Sequence, residues 1–166
     1  MAAPGQLAYI ALGSNLGSPH ETVLRAMDRL QAFSDRPILR SSLYETDPVD
    51  CPPGSPKFVN AVLGLVPRPD ETPESLLKML QGLEREFGRP PKRVHNEARP
   101  LDLDLIAFGD EVRNTPELRL PHPRAHARRF VLEPLAEIAP DLILPGQMQN
   151  VAQLFTALVH PSSEKR

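Results

Sequence analysis

Residues 99–106 read RPLDLDLI, a pattern that predicts a β-strand with one polar and one apolar face. Leucine and aspartate alternate in it, and alternate side chains of a β-strand lie on opposite faces of a sheet. We therefore expect Asp102 and Asp104 to share one face, with the neighbouring leucines on the other. In a helix the two carboxylates would diverge by about 200°, because each residue turns by roughly 100°.

Four strands and two helices are predicted around this stretch. The strands are expected at residues 7–12, 38–46, 57–66 and 101–108. The first helix follows Ser18, with Pro19 at its first position and Glu21 completing a capping box. The second helix opens at Thr72 with the same pattern and ends at Gly88. The order of elements is therefore β-α-β-β-α-β.

This order is that of a ferredoxin-like α+β fold, in which an antiparallel sheet carries both helices on one face. Each predicted helix has one apolar stripe at helical spacing. We predict a single domain over residues 1–166, with a core at 7–145 and a C-terminal helical extension at 146–166. Residues 121–129 form a tail rich in proline, histidine and arginine, and a last helix is expected near residues 151–159.

The composition is that of a globular domain with many prolines. Of 166 residues 40% are apolar and 20 are proline, and the net charge is −2. No apolar run reaches the roughly 18–20 residues of a membrane span, and residues 1–6 lack the pattern of a signal peptide. The single cysteine, Cys51, excludes a disulfide framework and fits a reducing compartment. We therefore expect a cytoplasmic chain with stiff loops and no membrane contact.

Basic residues are concentrated around the paired aspartates. Ten of the 19 lysines and arginines lie between Arg85 and Arg129, against seven acidic residues, so this stretch is near +3. Two like charges on one face of an apolar strand repel each other. A magnesium ion would neutralise them, since it takes one or two carboxylates and leaves its other positions to water and phosphates. The alternatives are two solvated aspartates and a solvated cationic face, but the flanking arginines favour a metal and phosphate site.

The remaining motifs favour phosphate binding over covalent catalysis. His122 lies between two prolines, and a histidine fixed in this way beside arginines suits a phosphate contact. The loop GSNLG at residues 13–17 lacks the ending of a Walker loop, so we predict a tight connection with Asn15 in the turn and Ser18 as the cap. No nucleophile elbow, activated cysteine or catalytic triad is visible in the sequence. This fits phosphoryl transfer, in which positioning and charge stabilisation supply most of the rate.

Five motifs together resemble the 6-hydroxymethyl-7,8-dihydropterin pyrophosphokinase family. They are YIALGSNLG at 9–17, YET at 44–46, FVNA at 58–61, RPLDLDL at 99–105 and LPHPR at 120–124, in the order found in the family. The resemblance covers residues 7–145. It implies an enzyme of folate biosynthesis that moves a diphosphate from ATP to a pterin alcohol and releases AMP.

The resemblance also implies a set of site residues. Two Mg²⁺ ions bound with ATP would be held by Asp102 and Asp104, which are implied to be catalytic together with Arg89 and Arg99. The residues implied for ATP are Gln81, Glu84, Arg89, Leu105, Leu118, His122 and Arg128. The residues implied for the pterin are Thr46, Val49, Phe58, Asn60, Asp102 and Phe130. Phe58 and Phe130 would sandwich the ring, and core packing is the alternative for both side chains.

Some positions depart from the family pattern. Asn96-Glu97-Ala98 stands where the family carries Trp-Gly-Pro or a close variant, and Pro100 stands where threonine is common.

The competing class is a non-catalytic ferredoxin-like module that binds a ligand or RNA. RNA binding would need stacking aromatic side chains on the strands, where the two aspartates are expected instead. We therefore predict a monomeric enzyme that binds ATP and the pterin alcohol and no nucleic acid.

Overall fold

The fold is seen in a computed structural model that describes residues 6–47, 53–54, 56–88 and 100–160. The strands are β1 (Ala8–Ser14), β2 (Leu39–Arg40), β3 (Tyr44–Thr46), β4 (Phe58–Leu65), β5 (Asp102–Phe108), β6 (Arg113–Asn114) and β7 (Arg119–Leu120). The helices are α1 (Pro19–Gln31), α2 (Pro73–Glu86), α3 (Arg129–Ile138) and α4 (Val151–Val159), with a 3₁₀ turn at Ala125–Ala127. Among the described helices, none has the length and apolar character needed to cross a membrane.

The main sheet has the strand order of the ferredoxin-like fold. Its order is β2-β4-β1-β5, and β3 also pairs with β4. All four of these pairings are antiparallel. A separate short hairpin of β6 and β7 lies after β5. The predicted fold class is confirmed.

One face of the sheet packs against α1 and α2. Alternate side chains of the three long strands, among them Ile10, Leu63 and Leu103, are buried there. The apolar stripes of the two helices meet them through residues such as Leu30 and Leu80. Full burial of such a side chain contributes roughly 1.5–3 kcal/mol. Both helices therefore lie on one face, as predicted.

The opposite face is covered in part by α3 and α4. Tyr9, Ala11 and Val62 of the sheet pack there with Leu132 of α3 and Val151 of α4, among other residues. The predicted helix near residues 151–159 is confirmed as α4. Helix α3 was not predicted, because its pattern contains Pro134 and the residue at its N-cap position, Arg128, makes no capping hydrogen bond with its side chain.

The predicted strand at residues 38–46 is wrong in its middle. It is divided into β2 and β3, and both parts pair with β4. At the break the Ser41 hydroxyl oxygen accepts the N–H of Val62 at 2.9 Å, while the N–H of Ser41 donates to the Val62 carbonyl at 3.0 Å. A side-chain oxygen thus takes the place of a backbone carbonyl, and the regular ladder is interrupted.

The predicted ends of the elements are confirmed for α2 and partly wrong for β1 and α1. Thr72 and Ser75 form a complete capping box at α2, and Gly88 follows the helix with a φ of +96°. Ser18 occupies the N-cap position of α1, but its side chain makes no capping hydrogen bond. Strand β1 also continues through Gly13 to Ser14, two residues beyond the predicted end.

Candidate active site

A row of polar positions crosses four strands at one end of the sheet. Gly13 on β1 lies opposite Asn60 on β4 and opposite Asp102 on β5, and Asn60 in turn lies opposite Tyr44 on β3. Residues that are directly opposite across antiparallel strands point to the same face. This is the face that carries α3 and α4 farther along, so the row lies beside the packed part of that face.

Asp102 and Asp104 share this face, as predicted. Asp104 is opposite Ala11, one step along the sheet from the row, and both aspartates are half-buried. The leucines on either side of them are buried under α1 and α2. Within the described residues no cluster of three histidine, cysteine, aspartate or glutamate side chains could hold a metal ion. The two carboxylates match the type and number of protein ligands that Mg²⁺ takes when phosphates supply further oxygens.

Glu84 of α2 supports the strand that carries both aspartates. Its carboxylate accepts the backbone N–H of Leu103 at 2.8 Å, and Glu84 is only 9% exposed. Leu103 is the residue between the two aspartates, and β5 is at the edge of the sheet. The carboxylate therefore satisfies an edge N–H that no further strand among the described residues pairs with. The role in ATP binding implied for Glu84 stays a prediction.

Asn60 is held in a defined orientation beside Gly13. Its Nδ2 donates to the hydroxyl oxygen of Thr46 at 2.5 Å, and Asn60 is 7% exposed. A Cβ atom on Gly13 would lie 3.2 Å from Asn60 Oδ1 and 3.9 Å from a ring carbon of Phe58. The absence of a side chain at position 13 thus keeps open the space between Asn60 and Phe58. The structure brings together three of the residues implied for the pterin, namely Thr46, Phe58 and Asn60.

The loop after β1 anchors the chain near this row. Ser14 is fully buried, and its hydroxyl donates to the Pro100 carbonyl at 2.7 Å, just before β5. Asn15 is 1% exposed, and its side-chain nitrogen makes a long contact of 3.5 Å with the Pro56 carbonyl, just before β4. Asn15 therefore makes a long-range contact in addition to any part in the predicted turn. The loop ties together the starts of the two strands that carry Asn60 and Asp102.

Backbone groups hold His122 both at its main chain and at its ring. The backbone N–H of His122 donates to the carbonyl of Ile106 at 2.8 Å, and the ring atom Nδ1 accepts the backbone N–H of Arg124 at 3.2 Å. Burial lowers the pKa of His122, the positive charges of Arg128 and Arg124 lower it further, and Asp102 opposes them. The ring is therefore neutral near pH 7 with its hydrogen on Nε2. A neutral imidazole of this tautomer presents a donor to a ligand oxygen.

Two further residues of the implied site lie at the start of helix α3, Arg128 at its N-cap position and Phe130 in its first turn. The guanidinium carbon of Arg128 lies 5.3 Å from the centre of the Phe130 ring, within the range of a cation–π contact. Both residues are half-buried. Phe130 also packs against the apolar cluster under α3 and α4, so core packing accounts for part of its contacts.

The other implied residues are distributed over the surface and the core. Gln81 is exposed on α2. Leu105 and Leu118 are buried in the core under α1 and α2, which leaves their backbone as the part that could meet a ligand. Arg89, Arg99 and Val49, together with Cys51 and Asn96-Glu97-Ala98, lie outside the described residues.

Two features of the site were missed in the sequence. Gly13 was treated as the end of a strand, although a glycine next to a predicted strand end is a signal of close approach. Glu137 of α3 received no role, yet its carboxylate accepts hydrogen bonds from Ser42, just before β3, and from Tyr44 in β3. No local signal indicates this contact, because the partners are more than 90 residues apart.

Comparison with known proteins gives relatives over most of the chain. A family model described as 7,8-dihydro-6-hydroxymethylpterin-pyrophosphokinase (HPPK) matches residues 9–140. A 2-amino-4-hydroxy-6-hydroxymethyldihydropteridine pyrophosphokinase of Pseudomonas aeruginosa is 42% identical over 141 residues, which are 84% of this chain and 85% of the relative. The enzyme of the same name in Haemophilus influenzae is 40% identical over 153 residues, 92% of this chain and 90% of the relative.

Solved structures show the same fold. Wild-type HPPK-DHPS of Plasmodium falciparum, crystallised with pteroate, has a TM-score of 0.74 at 14% identity. The match covers 96% of this chain and 43% of that chain, so this chain spans less than half of the solved protein. The sequence relatives support the predicted enzyme and not a non-catalytic ligand- or RNA-binding module. The chain belongs to the 7,8-dihydro-6-hydroxymethylpterin-pyrophosphokinase (HPPK) family.

Proposed function

We propose that this chain transfers diphosphate from ATP to 6-hydroxymethyl-7,8-dihydropterin in folate biosynthesis, giving the pterin diphosphate and AMP. The observation that carries the proposal is the row of Asn60, Gly13 and Asp102 across three strands. It places an amide side chain that can read a flat heterocycle next to a carboxylate that can face the reacting phosphates. Family membership supplies the identity of the two substrates.

The pterin is proposed to lie in the space kept open by Gly13. Asn60 Oδ1 would accept a hydrogen bond from the ring, because Thr46 holds the amide with its nitrogen turned the other way. Phe58 borders the same space and would contact one face of the ring, and Phe130 is proposed for the other face. The backbone at Thr46 and Val49 would complete the contacts along the ring edge. These contacts orient the hydroxymethyl group toward Asp102.

The transfer is proposed to be a direct displacement at phosphorus. The hydroxymethyl oxygen of the pterin forms a bond to the β-phosphorus of ATP, and the bond from that phosphorus to the α,β-bridging oxygen breaks. AMP leaves with the electron pair of the broken bond, and the hydroxyl proton is lost to solvent. The chain supplies no nucleophile of its own, so its contribution is orientation and charge stabilisation.

Cationic and neutral donors are proposed to bind the polyphosphate. Neutral His122 would donate from Nε2 to a phosphate oxygen, since its Nδ1 is taken by the backbone. Arg128 would offset charge that develops during transfer. Arg89 and Arg99 are proposed for the same task. Gln81, Glu84 and the backbone at Leu105 and Leu118 are proposed contacts of the nucleotide.

The paired carboxylates fit the proposed magnesium requirement. Asp102 and Asp104 lie on one face, are half-buried and provide only oxygen ligands, and these are the properties of a protein site for Mg²⁺. They are proposed to hold two ions together with the phosphates of ATP. When bound, the metal would neutralise phosphate charge and lower the pKa of the attacking hydroxyl.

The test is to identify the nucleotide product. The full chain is incubated with ATP, Mg²⁺ and the pterin alcohol, and AMP is expected to appear with the pterin diphosphate. Release of ADP, or no nucleotide product, would refute the proposal. Chelation of Mg²⁺ by excess EDTA is expected to stop the reaction, and activity that persists in EDTA would refute the metal requirement alone.

Asp102→Ala is the variant that tests the carboxylate pair. It is expected to lower turnover by at least about a hundredfold, since it removes several kcal/mol of charge stabilisation in the transition state. Asp110→Ala is the matched control, because Asp110 is an exposed aspartate just after the same strand. Full activity of Asp102→Ala, or equal loss in both variants, would contradict the assignment.

The association state and location are proposed from the sequence. We propose a monomer in the cytoplasm that binds neither nucleic acid nor membrane. Size-exclusion chromatography with light scattering is expected to give the mass of one chain, 18.4 kDa. A mass of twice this value would overturn the monomer.

A further inference from the structure

The short strand β3 carries one wall of the proposed pterin site but has little support of its own. It has three residues, Tyr44–Thr46, and within the described part of the chain it pairs only with the first part of β4. Before it, the ladder is interrupted at Ser41, where a hydroxyl oxygen replaces a backbone carbonyl. Thr46, at the end of this strand, is the residue that orients the Asn60 amide. The placement of the amide therefore depends on what holds β3.

Glu137 of α3 holds the start of this strand through three hydrogen bonds. Its Oε1 accepts the backbone N–H of Ser42 at 2.9 Å and the hydroxyl of Tyr44 at 2.7 Å. Its Oε2 accepts the hydroxyl of Ser42 at 2.8 Å. These bonds fix the chain at Ser42, just before β3, and the side chain of Tyr44 within β3 relative to the helix.

The ionisation states of the two groups are consistent with this geometry. The pKa of Tyr44 is raised to about 12, first by burial and then by its hydrogen bond to Glu137 and the charges of Glu137 and Glu133. The pKa of Glu137 is lowered, because the hydrogen bonds from Tyr44 and Ser42 outweigh burial, which acts in the opposite direction. Near neutral pH the tyrosine is therefore the donor and the carboxylate is the charged acceptor.

The helix that carries Glu137 also carries Phe130, which is proposed to contact the other face of the pterin ring. Phe130 is in the first turn of α3 and Glu137 in the last, seven residues later. Residues seven apart lie on the same side of a helix, and at 1.5 Å per residue they are separated by roughly 10 Å along its axis. α3 also packs against β3 and β4. One rigid helix thus links the position of Phe130 to the position of β3.

We propose that Glu137 is a positioning residue for the pterin substrate. Its carboxylate holds β3 against α3, so that Thr46 and Asn60 face the same ring as Phe130. The inference rests on the proposed function, because it concerns the same pterin site. Glu137 is not proposed to touch the substrate.

The test compares steady-state constants for the two substrates in the full-length chain. Glu137→Ala is expected to raise the KM for the pterin alcohol by about five- to tenfold, the size of losing one ordinary net hydrogen bond. The KM for ATP is expected to stay within about twofold, because none of the described contacts proposed for ATP is on β3, and Arg128 lies at the opposite end of α3 from Glu137. A structural defect without a positioning effect would reduce the amount of active enzyme and leave both KM values unchanged.

Two conservative variants give intermediate expectations. Glu137→Gln keeps the size and one acceptor oxygen and is expected to recover part of the loss. Tyr44→Phe removes only the 2.7 Å bond to Oε1 and is expected to raise the pterin KM by about two- to threefold. If Glu137→Ala does not fold, Tyr44→Phe carries the test on its own.

Asp28→Ala is the matched control. Asp28 of α1 accepts a hydrogen bond from Arg40 of β2 at 2.8 Å, so it ties the neighbouring strand to a helix on the other face. This variant is expected to leave the pterin KM unchanged. An equal rise in Asp28→Ala, or a wild-type pterin KM in Glu137→Ala and Tyr44→Phe, would overturn the positioning role. A wild-type chain that releases no AMP would instead refute the proposed function itself.

Discussion

Gly13 offers a direct test of the proposed pterin site, because a single methyl group can be placed in the space assigned to the ligand. In Gly13→Ala the new Cβ would lie 3.2 Å from Asn60 Oδ1 and 3.9 Å from a ring carbon of Phe58. The first distance is too short for an ordinary contact between carbon and oxygen, so Asn60 must move by a few tenths of an ångström. Its amide is buried and bonded to Thr46 at 2.5 Å, so that movement stretches this bond.

The effect on stability is expected to be modest. Overpacking of a buried site costs about 1–3 kcal/mol, and replacing glycine by alanine returns about 0.4–1 kcal/mol through the unfolded chain. We therefore expect a net loss of about 1 kcal/mol, which corresponds to a fall in Tm of roughly 2–4 °C for a chain of this size. The fold is expected to survive, so that activity can be measured on intact protein.

The effect on activity is expected to be larger than the effect on stability. The displaced Asn60 amide would meet the ring out of line, and the methyl group would occupy space proposed for the substrate. A misplacement of this kind is expected to lower kcat/KM for the pterin alcohol by about tenfold or more. The assay is the rate of AMP release at saturating ATP with varied pterin, together with thermal unfolding of the same preparation.

Gly64→Ala is the matched control for this substitution. Gly64 is on the same strand as Asn60, and its Cβ would also meet a neighbour at 3.2 Å, the Cε1 atom of Tyr9. It lies opposite Tyr9 and Leu39, away from the proposed site. We expect a similar loss of stability and an unchanged kcat/KM. Equal loss of activity in both variants, or full activity in Gly13→Ala, would refute the reasoning that places the ligand beside Gly13.

Three further predictions concern single contacts. Glu84→Ala is expected to lower the free energy of unfolding by about 1–3 kcal/mol in urea titration, because it leaves the buried N–H of Leu103 without its carboxylate. Glu84→Gln is expected to cost less. Stability of Glu84→Ala equal to wild type would contradict this role. Folding lowers the pKa of His122 below the unfolded value of about 6.5, so the unfolded chain binds the proton more readily. The free energy of unfolding is therefore expected to decrease as the pH is lowered below about 6.5, and to decrease less steeply in His122→Asn. Equal slopes of the free energy against pH in the two proteins would disprove the role of His122. Thr72→Ala removes the hydrogen bond to the N–H of Ser75 and is expected to cost about 1 kcal/mol; an unchanged Tm would contradict a stabilising role of this cap.

The parts of the fold that could be predicted are those specified by local patterns. The alternation at residues 99–106 places Asp102 and Asp104 on one face, because the period of a strand does not depend on what surrounds it. Thr72 and Gly88 mark the ends of α2, because capping and left-handed backbone are properties of a few neighbouring residues. The identities and spacing of neighbouring residues were sufficient to predict these features.

The parts that could not be predicted depend on tertiary contacts. Helix α3 has a proline inside it and a weak start, so its helical state follows from packing against the sheet and not from its own signals. The division of residues 38–46 follows from one hydroxyl group, that of Ser41, which pairs with β4 in place of a carbonyl. The contact from Glu137 to Tyr44 joins segments that are 93 residues apart. Neither α3 nor this contact has a signature that can be read from adjacent residues.

The irregularity in β5 shows how one strand serves both the core and the proposed site. Tyr9 is opposite Ala107 while Ile10 is opposite Leu105, so Ile106 is an extra residue without a partner on β1. A bulge of this kind reverses the alternation of faces. The aspartates before the bulge, the bulged Ile106 and Ala107 after it all face the side of α3 and α4, and Ile106 and Ala107 pack into the cluster under these helices. The extra residue also presents its carbonyl to the N–H of His122 at 2.8 Å. The bulge therefore lets two successive residues of β5 pack under α3 and α4, and its carbonyl holds the loop that carries His122.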